Sequence, residues 1–106
     1  MLIDSHCHVL SSEYENVDEV IVNSLNNGVD KLIINGYDLK SSKEAVALAN
    51  KYKNVYAAVG IGPENIDNVD DNVINEIGQL LDNEKTVALG EIGLDYYWTT
   101  DNKAKQ

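Results

Sequence analysis

The two histidines of the chain stand two positions apart in the stretch "DSHCH", at residues 4 to 8. In a β-strand, residues two apart point to the same face, with Cα atoms roughly 6.6 Å apart. Two imidazoles in that arrangement can converge on one cation, and neutral imidazole suits zinc, manganese, iron or nickel. Asp4 shares that face, so we expect it to orient His6 and His8. The alternative is that two polar residues lie on the open face of a half-exposed strand.

The stretch "GEIGLDYYW" at residues 90–98 contains the second group of candidate residues. It follows an apolar run, so Glu91 falls at the C-terminal end of a strand, as the two histidines do. Sites in parallel α/β folds assemble at that end. The spacing therefore allows Glu91 to complete a set of three metal ligands. The alternative is that Glu91 and Asp95 are ordinary loop carboxylates, and for the aromatic residues 96–98 we favour packing over the sheet.

Two glycines, Gly60 and Gly62, stand at the end of another β-rich run. Glycine at a strand end allows a close backbone approach to a ligand. The pair lacks the G-x-G-x-x-G continuation into a helix, so we reject a dinucleotide site. Cys7 lies on the strand face opposite the histidines, and we expect a small buried residue there rather than a nucleophile.

Short β-rich runs alternate with helix-period segments along the chain. The apolar spacing predicts three amphipathic helices, and the order β-α-β-α-β-α-β predicts parallel strands with the helices outside. We interpret Asn16 with Glu19 as the start of the first helix. We interpret Ser41 with Glu44 as a capping box that starts the second, and Gly28 as the residue that ends the first helix. The β-rich runs lie at residues 2–3, 31–34, 55–59 and 87–89.

The composition predicts one globular domain over residues 1–106. Hydrophobic residues make up 43% and the net charge is -10, so the surface repels phosphate backbones and anionic membranes at long range. A bound metal would offset that field locally. The sequence has a lone cysteine and no signal-like N-terminus. It also has no apolar run of the roughly 18 to 20 residues that a membrane span requires. These features favour a cytoplasmic protein.

The opening stretch "MLIDSHCH" resembles the start of the TatD-related metal-dependent deoxyribonucleases. "ALGEIGLDYY" at residues 88–97 is similar to that family's next strong motif, and the resemblance spans essentially the whole chain. It implies a TIM-type barrel of the amidohydrolase kind, with one or two divalent cations such as zinc, magnesium or manganese. It also implies hydrolysis of DNA phosphodiester bonds. His6 and His8 match metal ligands, and Glu91 matches a carboxylate that can bridge two metals.

The sequence departs from that family in two respects. The family's remaining ligands, two histidines and an aspartate on later strands, have no counterpart in these 106 residues. The family usually has a histidine in the stretch "GIGP", where Gly62 stands here. A whole barrel needs about 200 residues, so the fold class that we expect is parallel α/β of TIM-barrel type, about half a barrel.

Three functional hypotheses follow. The first is a metal-dependent nuclease with metal ligands His6, His8 and Glu91, in which Glu91 and Asp95 are the catalytic carboxylates and Asp95 orients the attacking water. The second is an inactive half-barrel or interaction module. The third is a flavodoxin-like or receiver-like acidic binding domain. The histidines on the first strand argue against it, because receiver-type sites have a carboxylate cluster there. The open sheet edges of a half-barrel also predict a homo-oligomer.

Overall fold

Four strands and three α-helices alternate along the chain in the computed structural model, which describes residues 1–106. A single 3₁₀ turn follows the third strand. The order agrees with the alternation expected from the sequence. The elements are β1 (Leu2–Cys7), α1 (Val17–Asn26), β2 (Val29–Asn35), α2 (Leu39–Lys51), β3 (Val55–Val59), the 3₁₀ turn (Pro63–Asn65), α3 (Asp71–Leu80) and β4 (Thr86–Leu89).

The strands form one parallel sheet in the order β1-β2-β3-β4. The prediction of a parallel βα repeat of barrel type is therefore confirmed. A flavodoxin-like sheet has the order 2-1-3-4-5, which places the first strand inside the sheet. Here β1 is an edge strand, so the flavodoxin-like hypothesis is wrong.

The hydrophobic core lies between the sheet and the three helices. Alternate residues of β2 and β3 point into it because side chains of a strand point to opposite faces in turn. Each helix contributes an apolar face, as its sequence period predicts. The fully buried members include Leu32, Ile34, Val55, Ala57 and Val59 from the sheet, and Ile21 and Ala45 from the helices.

The two edge strands expose apolar side chains. Leu2 and Ile3 of β1 and Val87 and Leu89 of β4 are all about half exposed or more. Both edges also carry unpaired backbone groups, because each edge strand pairs on one side only. None of the helices is long and apolar enough to cross a membrane.

The cap of the first helix agrees with the sequence. The Asn16 side chain accepts a hydrogen bond from the backbone N–H of Glu19 at 3.1 Å. Gly28, just past the helix, has a φ of 92°, a left-handed conformation that glycine adopts without the strain a side chain would cause.

The cap of α2 differs from the prediction. The helix begins at Leu39, and its capping box joins Asp38 to Ser41: the Asp38 carboxylate accepts from the Ser41 backbone N–H at 2.7 Å. The predicted Ser41–Glu44 capping box is wrong, because the helix begins at Leu39 and Ser41 lies in its first turn. The carboxylate of Glu44 instead accepts from the backbone N–H and the hydroxyl of Ser11, at 2.7 and 2.9 Å.

We expect Asp38→Ala to lower the free energy of unfolding by about 1 kcal/mol, because the first turn of α2 loses its capping acceptor. Urea unfolding followed by circular dichroism measures the change. Lys40→Ala, an exposed change in the same turn, is the matched control and should leave the unfolding midpoint nearly unchanged. Equal midpoints for the two variants would contradict the assigned cap.

Candidate metal centre

Three ligand-type side chains meet at the carboxyl ends of β1 and β4. The Nε2 atoms of His6 and His8 lie 3.2 Å apart. Oε1 of Glu91 lies 3.2 Å from Nε2 of His6 and 3.1 Å from Nε2 of His8. Residues 85 positions apart in the chain thus form one cluster. The structure brings the three residues together, as the spacing of the two motifs predicted.

The ring of His8 is oriented by the backbone. Its Nδ1 lies 2.9 Å from the backbone carbonyl of Asn35, so Nδ1–H donates to that oxygen. In the neutral ring, Nε2 then carries a lone pair directed at the cluster. The expectation that Asp4 orients the imidazoles is wrong, because Asp4 Oδ1 accepts from the backbone N–H of His6 at 3.2 Å and neither ring bonds to it.

Glu91 is positioned by backbone contacts that cross the end of the sheet. The backbone N–H of Gly90 donates to the carbonyl oxygen of Val59 at 2.9 Å. The backbone N–H of Glu91 donates to the carbonyl oxygen of Gly36, which follows β2, at 2.8 Å. The chain after β4 therefore passes over the end of β3. It passes directly over Gly60, where a Cβ atom would lie 2.3 Å from the Glu91 carbonyl oxygen. The predicted close approach at Gly60 is thus made by the protein's own backbone.

A polar cavity of about 380 Å³ opens beside the cluster. Gly62 lies at its wall, and a Cβ atom there would stand 3.4 Å from Oε2 of Glu91. A side chain at this position would therefore enter the space next to the Glu91 carboxylate. The glycine thus leaves the cavity wider at a position where the family that the sequence resembles usually has a histidine. The lining residues are His8, Tyr37, Gly62, Pro63, Glu64, Asn65, Glu91 and Asp95.

Asp95 lines the same cavity and also stabilises the turn that follows it. Its Oδ1 accepts the backbone N–H groups of Tyr97 at 2.8 Å and Trp98 at 3.1 Å. The other carboxylate oxygen makes no hydrogen bond. The expectation that residues 96–98 pack over the sheet is wrong for Tyr97 and Trp98, which are 81% and 72% exposed.

Cys7 lies on the core side of β1. It packs against the hydrophobic core, and its thiol donates to the Ile33 carbonyl oxygen at 3.4 Å. Burial, and then the nearby charge of Asp4, raise the pKa of this thiol to about 11. The thiolate, which is the reactive form, is therefore scarce at neutral pH, as the structural role inferred from the sequence requires.

The three ligand atoms fit a common cation. They all lie within 4.8 Å of one another. Ligands about 2.0 to 2.1 Å from one tetrahedral ion are separated by roughly 3.3 Å, close to the observed spacings. Two imidazoles and one carboxylate suit zinc, manganese or iron better than magnesium, which prefers oxygen ligands.

The fold and the cluster define the class of protein. Four parallel strands joined by three helices carry two histidines and a glutamate at their carboxyl ends, where sites of barrel-type α/β proteins lie. A profile of the TatD related DNase family matches residues 3–106, and the chain belongs to that family.

Relatives and a solved structure agree with this assignment. The chain is 32% identical over 104 residues to the uncharacterized metal-dependent hydrolase YabD of Bacillus subtilis, covering 97% of this chain and 41% of YabD. It is 27% identical over 106 residues to the 3'-5' ssDNA/RNA exonuclease TatD of Cronobacter turicensis, covering 99% of this chain and 40% of the relative. The crystal structure of YjjV, a TatD homologue from Escherichia coli, superposes with a TM-score of 0.77 at 30% identity, over 97% of this chain and 40% of YjjV. The chain thus spans about two-fifths of the length of these relatives.

Proposed function

We propose that the chain carries the β1–β4 part of a metal-dependent nuclease site that hydrolyses phosphodiester bonds in DNA. The observation that carries this proposal is the convergence of His6, His8 and Glu91 on one point at the carboxyl end of the sheet. The named activities of the relatives, metal-dependent hydrolase and 3'-5' ssDNA/RNA exonuclease, support the same chemistry.

The roles of the residues follow from their contacts. His6 and His8 supply nitrogen ligands, and the Asn35 carbonyl group holds the His8 ring with Nε2 facing the cluster. Glu91 directs Oε1 at both imidazoles, and its carboxylate would also be available to a second cation. A divalent cation bound here would polarise a phosphoryl oxygen and lower the pKa of a bound water.

Asp95 is the proposed catalytic carboxylate besides Glu91. It lines the same cavity as His8 and Glu91, and only its Oδ1 is engaged by backbone N–H groups. The free Oδ2 can accept a hydrogen bond from a water in the cavity and so orient that water for attack. Asp95→Ala would remove both the catalytic carboxylate and the acceptor that stabilises the following turn. Asp95→Asn is more informative, because its side-chain oxygen can still accept those N–H groups while the negative charge is lost.

We expect the nuclease activity of the 106-residue chain to be weak. Three ligands hold one cation, whereas a two-metal phosphodiesterase site needs more. The net charge of -10 also opposes the approach of a polyanion. Cleavage of a labelled single-stranded oligonucleotide with zinc or manganese measures the activity. Robust turnover that disappears in Glu91→Gln would show that the chain needs no further ligands.

Metal binding tests the site independently of turnover. We expect His6→Ala and Glu91→Gln each to weaken binding of zinc or manganese by about 100-fold or more in titration calorimetry, because each removes one of three ligands. Glu84→Gln is the matched control: Glu84 is exposed and precedes β4 at the opposite end of the sheet. Unchanged affinity in both site variants would exclude the proposed centre.

We also propose that the 106-residue chain associates with itself through its edge strands. The exposed apolar residues on β1 and β4 and the unpaired backbone of both edges favour this second candidate role. Association would operate whether or not the metal centre is active.

A further inference from the structure

Two carboxamide side chains stand on one side of a turn that follows the exposed aromatic residues. Residues 101–105 form this turn, and the backbone N–H of Gln106 donates to the carbonyl oxygen of Asn102 at 3.0 Å. Residues four apart in such a helical turn have neighbouring side chains. Within residues 101–106, Asn102 and Gln106 are half-buried and the others are exposed. The two carboxamides therefore lie on the side of the turn that faces the protein.

Gln106 binds the backbone of Asp95 through both of its amide atoms. Its Oε1 accepts the backbone N–H of Asp95 at 2.7 Å, and its Nε2 donates to the Asp95 carbonyl oxygen at 2.8 Å. A carboxamide offers one acceptor oxygen and two donor hydrogens, so a single side chain satisfies both backbone groups. No backbone group of another residue bonds to the Asp95 main chain. Gln106 is therefore what fixes the position of that main chain.

Asn102 continues the connection to the loop after β3. The second hydrogen of Gln106 Nε2 is donated to Oδ1 of Asn102 at 2.7 Å. Nδ2 of Asn102 donates to the carbonyl oxygen of Pro63 at 3.4 Å and to Oδ1 of Asp67 at 3.3 Å. Pro63 and Asp95 both line the polar cavity beside the metal-ligand cluster. Asn102 and Gln106 thus form a continuous carboxamide bridge between two walls of that cavity.

The bridge acts on a carboxylate whose direction matters to the proposed reaction. Oδ1 of Asp95 accepts the N–H groups of the turn that follows it, and Oδ2 is left to bond a water in the cavity. The aim of Oδ2 depends on the position of the Asp95 main chain, which carries the side chain. Displacement of a reacting group by about 1 Å can lower a rate by about 100-fold.

We propose that Gln106 is a positioning residue for Asp95, and that Asn102 holds the Gln106 carboxamide in the required orientation. The inference rests on the proposed function, in which Asp95 orients the attacking water. Gln106 donates and accepts its side-chain hydrogen bonds at Asp95 and Asn102 alone. Its loss should therefore slow turnover and leave the affinity for the metal unchanged.

Amide hydrogen exchange tests the bridge without metal or substrate. By NMR in EDTA, we expect the Asp95 backbone N–H to exchange at least about tenfold faster in Gln106→Ala, because it loses its acceptor. Gln79→Ala is the matched control, since Gln79 is the other glutamine of the chain and is exposed on α3. Circular dichroism verifies that both variants fold. An unchanged exchange rate of the Asp95 N–H in Gln106→Ala would overturn the proposal.

Turnover separates a positioning role from a merely structural one. With manganese and bis(4-nitrophenyl) phosphate, an activated phosphodiester, we expect Gln106→Glu to lower kcat by about tenfold at an unchanged KM. The variant keeps the size of the side chain but directs a carboxylate oxygen at the Asp95 and Asn102 oxygens that Nε2 now contacts. Gln79→Glu makes the same chemical change on α3 and should leave kcat unchanged. Manganese affinity in titration calorimetry should be the same in all three proteins.

A double variant shows whether Gln106 acts through Asp95. We expect Asp95→Asn combined with Gln106→Glu to be no slower than Asp95→Asn alone, because the effects of residues that act as a unit are not additive. A further tenfold loss in the double variant would overturn the proposal, since Gln106 would then act by another route.

The inference and the proposed function can fail separately. An unmodified chain without turnover would contradict the proposed function, and the exchange rate of the Asp95 N–H would still decide whether Gln106 holds this residue. Conversely, turnover that Asp95→Asn removes and Gln106→Glu leaves intact would support the proposed function and overturn the positioning role of Gln106.

Discussion

Gly60→Ala is expected to destabilise the protein by about 3 kcal/mol and to abolish metal binding. A Cβ atom at this position would lie 2.3 Å from the Glu91 carbonyl oxygen and 2.7 Å from the Gly90 carbonyl carbon. Both are backbone atoms, so no side-chain rotation relieves the contact, and overpacking of this kind costs about 1 to 3 kcal/mol or more. The chain after β4 must move away from Gly60, which takes the Glu91 carboxylate away from the imidazoles. Urea unfolding and zinc titration measure the two effects.

Gly62→Ala is the matched control, two residues along the same segment. Its new Cβ atom would lie 3.3 Å from the Asn65 side-chain amide nitrogen and 3.4 Å from Oε2 of Glu91, contacts that small side-chain shifts accommodate. We expect a change within about 0.5 kcal/mol in stability and retained metal binding. If Gly60→Ala had the same stability and metal affinity as Gly62→Ala, the inference that the chain crosses over the end of β3 would be contradicted.

Self-association is expected to give a scattering mass of at least twice the 11.7 kDa of one chain. Val87 and Leu89 of β4 and Leu2 and Ile3 of β1 expose apolar surface at the two edges, and its burial is worth about 25 cal/mol per Å². The net charge opposes association, but at physiological salt it is screened beyond about 8 Å. Light scattering at micromolar concentration and physiological salt is the measurement.

Leu89→Lys should shift the population towards monomer, because a lysine on an edge strand opposes pairing with another chain. Val22→Lys, at a similarly exposed apolar position on α1, controls for the added charge and should leave the mass unchanged. A monomeric protein with a cooperative melt would contradict the association and would show that the open sheet is stable alone.

The parts of the fold and site that depend on local pattern were predictable from the sequence. Strand and helix periods gave the parallel βα order, because apolar spacing directly reflects which face is buried. The two-residue spacing of His6 and His8 placed both on one strand face. Glu91 could be brought to them because parallel strands end at the same side of the sheet.

The parts that depend on contacts across the sheet were not predictable. Nothing in the spacing shows that the partner of His8 is the Asn35 carbonyl group, since any backbone oxygen serves equally. Gly60 signalled a close approach, but the atoms that approach it come from residues 90–91, thirty positions later. The α2 cap was misplaced because Asp38 and Ser41 are both good N-cap residues, and only the start of the helix decides between them.

The crossing of the chain over Gly60 also bears on how the protein is held together. It brings Glu91 to His6 across 85 positions of sequence, so a cation held by both would act as a cross-link between the first and last strands. Closing so long a loop restricts the unfolded chain much as a disulfide does. A cation at 100 times its dissociation constant adds about 2.7 kcal/mol to stability. The same ion that serves chemistry would thereby also fasten β4, an edge strand with one neighbour, to the opposite edge of the sheet.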